Sequence, residues 1–175
     1  MLLLAVCCSS IAHTSQPWSG KVIYDVTPLN VEASEWDYLP HTMTYETNGK
    51  AWKITEKGTS FERIWMGTFE RLDYHVLFHF LGHAVELIEQ CPTTTPNVSG
   101  QWYEHDAPCS WAIAALPKSC TLKDGPALYQ INAREKADIP ERKWDRKAFE
   151  LPAGYEPVDR LALAALLTQM GSSKD

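Results

Sequence analysis

No stretch of this chain approaches the ~20 consecutive apolar residues that a helix needs to cross a bilayer. Its most apolar internal run, Phe69–Gln90, is interrupted by charges and histidines. There is no basic block either: 16 Lys and Arg stand against 22 Asp and Glu, scattered along the chain, for a formal net charge of -6. A nucleic-acid surface is thereby disfavoured, and partners are expected to be neutral, apolar or protein. No C-x-x-C occurs, which removes zinc-ribbon and thioredoxin-type sites. Beyond the N-terminal segment only Cys91, Cys109 and Cys120 remain, enough for one disulfide and a spare thiol. Cys109 with Cys120, or Cys91 with Cys109, are the short-loop options. Methionine is scarce, at four residues, whereas seven Trp, seven Tyr and 11 Pro point to a β-rich, aromatic-lined fold.

The 175 residues, 45% of them hydrophobic, suit one domain with a sizeable core. Residues 1–18 read as a leader: an apolar run, then Ser10-Ile11-Ala12, a small-x-small pattern suited to signal peptidase. Export to the periplasm or association with an outer membrane is the expectation, with residues 19–171 as the single folded unit and 172–175 as a disordered tail.

Phe69–Gln90 decides the architecture. Read as a helix, it would place His75, His79 and His83 at i, i+4 and i+8, which is metal-ligand spacing. Read as strands, it alternates Leu72, Tyr74, Val76, Phe78 and Phe80 against Arg71, Asp73, His75 and His79. The neighbouring turn signals favour strands. Asn48-Gly49 is a tight-hairpin dipeptide, and it predicts Tyr45 opposite Trp52, Met43 opposite Ile54 and Thr44 opposite Lys53. A turn at Lys57-Gly58 would set Ile54 opposite Phe61. Turns at Glu70-Arg71 and Leu81-Gly82 would set Trp65 opposite Val76, and Phe78 opposite Val85. Five strands from about Thr42 to Gln90 then share one apolar face.

That meander puts His75 and His79 on its outer face and His83 on its inner one, so the three cannot share a metal ion. It also puts Arg63 on the inner face, flanked by Trp52 and Phe78. There Arg63 is either a polar anchor for a ligand head group or an arginine at the sheet margin reaching for water. Glu104-His105-Asp106, close to Cys109, holds acid, base and nucleophile types in one loop, but nothing supplies an oxyanion hole.

Gly20–Leu29 alternates as a half-buried strand around Val22, Tyr24 and Val26, and Gly125–Lys136 as another around Tyr129 and Ile131. Gln101-Trp102-Tyr103 reads as a short strand in an otherwise irregular stretch from Cys91 to Asp124, and Lys143–Phe149 as a further strand. Pro157–Met170 reads as a helix, with proline in its first turn, Asp159 near its N-terminus and Gly171 as its stop.

The tail FELPAGYEPV, the opening SGKVIYDV, the Asn-Gly-Lys turn, QWYEHDAP and ALPK…GPALYQI follow one another in an order that resembles small exported bacterial domains of unknown function with a lipoprotein-carrier architecture. The resemblance implies a mainly β (α+β) fold: a curved antiparallel meander forming a half-barrel, with a C-terminal helix packed on or across its open face.

Three functional expectations follow. The first is a non-enzymatic envelope protein that binds a lipid or another apolar small molecule on the face formed by Met43, Tyr45, Trp52, Ile54, Phe61, Arg63, Trp65, Val76 and Phe78. The second is an envelope assembly component that docks a protein partner on the outer face through Ile64, Met66, Leu77 and Ile88. The third is a metal-dependent or thiol hydrolase built on His75, His79, His105, Asp106 or a free cysteine. No cofactor is called for by the first two.

Overall fold

The computed structural model describes residues 18–32, 36–37, 39–60, 62–71, 73–80, 83–90, 102–103, 118–124, 127–163 and 165. These form one open, curved, mainly β sheet of ten strands with a short helix after the last. The strands are β1 (Gly20–Pro28), β2 (Thr42–Thr47), β3 (Ala51–Lys57), β4 (Glu62–Thr68), β5 (Asp73–Phe80), β6 (His83–Gln90), β7 (Trp102–Tyr103), β8 (Ser119–Asp124), β9 (Ala127–Asp138) and β10 (Glu156–Val158). Their spatial order is β10-β6-β5-β4-β3-β2-β1-β9-β8-β7. Neighbours are antiparallel except at the two margins, where β10 runs parallel to β6 and β7 parallel to β8.

Alternation dictates the two faces. On β1, β2 and β3 every second residue is buried, and the large apolar ones among them are Val22, Tyr24, Val26, Met43, Tyr45, Trp52 and Ile54. Trp65, Tyr74, Val76, Tyr129 and Ile131 continue this inner face across β4, β5 and β9 as one cluster. Trp18, Leu39, Phe69, Phe78, Leu87 and Cys120 pack against its margins.

The meander of five strands forms as expected, and its last two hairpins keep the expected register: Trp65 pairs with Val76, and Phe78 with Val85. The first two hairpins slip. Tyr45 pairs with Ile54 instead of Trp52, a shift of two residues, because Asn48 does not serve as half of a two-residue turn. Its Oδ1 accepts from the backbone N–H of Lys50 at 2.9 Å and of Ala51 at 2.8 Å, while the Thr47 Oγ1 accepts from Gly49 N–H at 3.0 Å. This side-chain capping draws Lys50 and Ala51 into the loop. Gly49 provides the left-handed φ of 86° that the loop requires.

The second hairpin slips by four. Ile54 pairs with Trp65 instead of Phe61, which lies outside the described residues. A remote segment holds this longer loop: Ser60 N–H donates to the Asp37 carbonyl and His41 N–H to the Lys57 carbonyl. Nothing local to the turn announces either contact. Both slips are even, so neither moves a side chain to the other face.

Three other expectations are corrected. Lys143–Phe149 is no strand; it follows a single 3-10 turn at Glu141–Lys143 and continues as turns. Ser119–Asp124, expected as irregular, is strand β8, paired along its length with β9. Pro157 is not in the helix but in β10, at the sheet edge, where a residue without an N–H is tolerated. The helix starts at Arg160, with Asp159 as its cap: the Asp159 carboxylate accepts from Ala162 N–H at 2.6 Å.

β9 lies beside β1, whereas β10 lies beyond β6 at the opposite margin. The chain between them, residues 139–155, crosses the outer face as a strap. Its near end is tied to the start of β1, since Ile139 N–H donates to the Ser19 carbonyl and the Ser19 hydroxyl to the Ile139 carbonyl. Midway, Lys53 Nζ donates to the Ala148 carbonyl. At its far end Tyr155 meets His79 of β5, ring to ring at 5.5 Å.

Candidate functional site

The inner face is built around a missing side chain. Gly67 lies between Trp52 on one neighbouring strand and Tyr74 on the other. A Cβ there would sit 2.8 Å from Trp52 Cζ2 and 3.1 Å from the Tyr74 Cβ. The vacated space lets the Trp52 and Tyr74 rings approach to 6.0 Å, and Trp65 stack on Tyr74 at 5.9 Å. All three rings are buried.

At the end of β3 and the start of β4 this apolar surface meets its one described ion pair. Glu56, 9% exposed, uses one carboxylate oxygen to accept from Arg63 Nε–H at 2.6 Å and from Trp65 Nε1–H at 2.8 Å. The Arg63 guanidinium lies 4.7 Å over the Trp65 ring. Buried charge is tolerated only when paired and hydrogen-bonded, and here both conditions hold. The four-residue slip made the pairing: Glu56, not Trp52, stands opposite Arg63, while Phe78 flanks it on the other side as expected. Sequence reasoning missed Glu56, although alternation from Trp52 and Ile54 places it on the inner face.

Of the residues expected to form a ligand-binding face, Met43, Tyr45, Trp52, Ile54, Trp65 and Val76 share the buried cluster, with Phe78 at its margin and Arg63 at its polar end. Phe61 lies outside the described residues. Burial pushes the Tyr45 phenol well above its ordinary range, only partly offset by a hydrogen bond with Thr47. Cys120 carries a free thiol packed against the same cluster, and burial pushes it up to about 12. Cys109, its expected disulfide partner, and Cys91, the alternative partner expected for Cys109, lie outside the described residues.

The outer face is different in kind. Met66, Leu77 and Glu86 are buried there, whereas Ile88 remains 55% exposed. His75 Nδ1 lies 2.6 Å from the Glu86 carboxylate, and the Tyr155 hydroxyl 3.4 Å from His79 Nε2. His83 pairs with Phe80, two positions from inward-facing Val85, so the three histidines are divided between faces as expected. Among the described residues no group of three His, Cys, Asp or Glu side chains converges on one point. His105 and Asp106 lie outside the described residues. Where the strap passes β4 and β5, an open pocket of about 110 Å³ is lined by Met66, Gly67 and Thr68 of β4, by Arg71, Asp73 and His75, and by Phe149 and Leu151 of the strap. Among the described residues no helix is long and apolar enough to cross a membrane.

The chain matches no family model, no curated protein and no solved structure.

Proposed function

We propose that this chain is an exported, non-enzymatic envelope protein that takes a lipid or other apolar ligand against the inner face of its curved sheet. One observation carries the reading: an apolar face continuous from β1 to β5 and β9 carries at one end, among the described residues, a paired carboxylate and guanidinium, Glu56 and Arg63. This face is buried in the ligand-free chain, so an alkyl chain would reach it by displacing what covers it, with a carboxylate and a guanidinium at one end to meet its polar terminus. It offers no developing charge a preorganised field, so it suits holding rather than transforming a ligand. The resemblance to lipoprotein-carrier architecture and the leader-like residues 1–18 support the same reading.

Native mass spectrometry of the protein purified from its own cell envelope tests it. The expected result is a mass increment that organic extraction removes, together with saturable quenching of tryptophan fluorescence when a fatty acid is added back. A bare mass and no fatty-acid binding would overturn it. Docking of an envelope protein is the second reading, favoured by the exposure of Ile88 and of Leu161, at 55% and 82%. It predicts concentration-dependent association in sedimentation or retained partners in the same native spectra.

A further inference from the structure

Glu56 is buried at the polar end of the inner face, and its two oxygens are used unequally. Arg63 Nε–H and Trp65 Nε1–H both donate to Oε2, at 2.6 and 2.8 Å. A guanidinium donor is the partner a carboxylate takes, and each carboxylate oxygen can accept about two hydrogen bonds. Oε2 has both of its donors. Among the described residues nothing donates to Oε1.

The strands on either side explain this. Towards β2, Glu56 stands opposite Met43, which is buried and whose thioether has no N–H or O–H to give. Towards β4, Arg63 has its Nε–H on Oε2, its guanidinium 4.7 Å over the Trp65 ring, and contacts beyond these two. Ile54, the preceding inward residue of β3, is apolar and buried. A buried acceptor without a donor is destabilising, and a ligand that supplies the donor recovers that loss.

These surroundings sort apolar ligands by their termini. An ionised fatty acid would set a second carboxylate beside Glu56 while the guanidinium is already engaged, and like charges so placed repel. An ether terminus brings only another acceptor. A hydroxyl or an amide brings a donor for Oε1 and no net charge. We infer, resting on the ligand-face reading above, that the ligand of this face is an uncharged lipid whose terminus carries an O–H or N–H donor, received by Glu56 Oε1. Glu56 then sets head-group specificity, and Arg63 and Trp65 hold its carboxylate in place.

Three ligands of one chain length test this on the unmodified protein: dodecanol, dodecyl methyl ether, and dodecanoate at about pH 8, where a carboxylic acid in water is ionised. Affinity is read from tryptophan fluorescence, and the Trp65 indole N–H is followed by nitrogen-15 NMR. Dodecanol is expected to bind about tenfold more tightly than either of the others, the usual effect of one hydrogen bond to a charged group. It should also shift the Trp65 indole resonance, because that N–H shares the carboxylate. Glu56→Gln should narrow the gap between dodecanol and dodecanoate, since the like charge is gone and Arg63 loses its carboxylate. If Glu56→Gln does not fold, the ligand series on the parent chain decides alone. Binding of all three without preference, tighter binding of dodecanoate, an unmoved Trp65 indole or an unchanged gap in folded Glu56→Gln would overturn this specificity and leave the ligand-face reading standing. Binding of none of the three would overturn both.

Discussion

The two faces of this sheet use the same strands yet are closed by different means. On the inner face, alternate residues of successive strands meet one another directly: Trp52, Trp65 and Tyr74 pack over Gly67, and Arg63 finds Glu56 one strand away. On the outer face, the strap of residues 139–155 arrives from the far side of β9 and touches the sheet through Lys53, Met66 and His79. The first closure is a property of each hairpin; the second is a property of the topology. Strap removal should therefore uncover the outer face and leave the inner one intact.

The comparison is broken most severely on the inner face. Trp65→Ala removes a buried ring, its stack on Tyr74 and a donor to Glu56, and is expected to cost about 3–5 kcal/mol in chemical denaturation. Gly67→Ala should also destabilise, since its Cβ has no room unless Trp52 moves; a near-neutral result would show that the ring slot is loose. Removing one member of the ion pair, Glu56→Gln, is expected to cost about 3 kcal/mol, because Arg63 and Trp65 would then face a neutral amide where both now donate to a carboxylate. The double change Glu56→Leu with Arg63→Met should recover most of that loss. If it does not, the pair contributes more than mutual compensation.

Alkali should act next, and again on the inner face. The Cys120 thiol titrates near 9 when unfolded and is held up at about 12 when folded. Between those values the unfolded chain has lost a proton that the folded chain keeps, so stability falls as pH rises through this window. Tyr45, also raised by burial, acts in the same direction above its ordinary value of 10.0. Cys120→Ala should flatten the early part of the alkaline loss, measured by denaturant midpoint against pH.

Outer-face changes should be smaller. Phe149→Ala removes a half-buried ring from the strap and is expected to cost about 1 kcal/mol, with limited proteolysis near residues 145–155 accelerated more than global unfolding. Leu161→Ser, at a side chain 82% exposed, should stay within about 0.5 kcal/mol of the parent. If Phe149→Ala instead matched Trp65→Ala, the strap would belong to the core and the two closures would be one.

The chain by itself determined which residues share a face. Met43, Tyr45, Trp52, Ile54, Trp65 and Val76 could be grouped from alternation and turn signals, and slips of two and four residues left that grouping untouched because the side-chain period of a strand is two. The same rule separated His75 and His79 from His83 and removed the metal reading of their spacing. Only the tertiary structure decided who stands opposite whom. Asn48 turned its side chain on its own loop, Asp37 and His41 held the next one open, and that longer loop brought Glu56 to Arg63. The strap was equally hidden, because the β10 partner is at the far edge of the sheet and the residues between carry no period to announce a path. Periodicity is local and survives error in register; pairing depends on loops whose length is settled by contacts with remote chain.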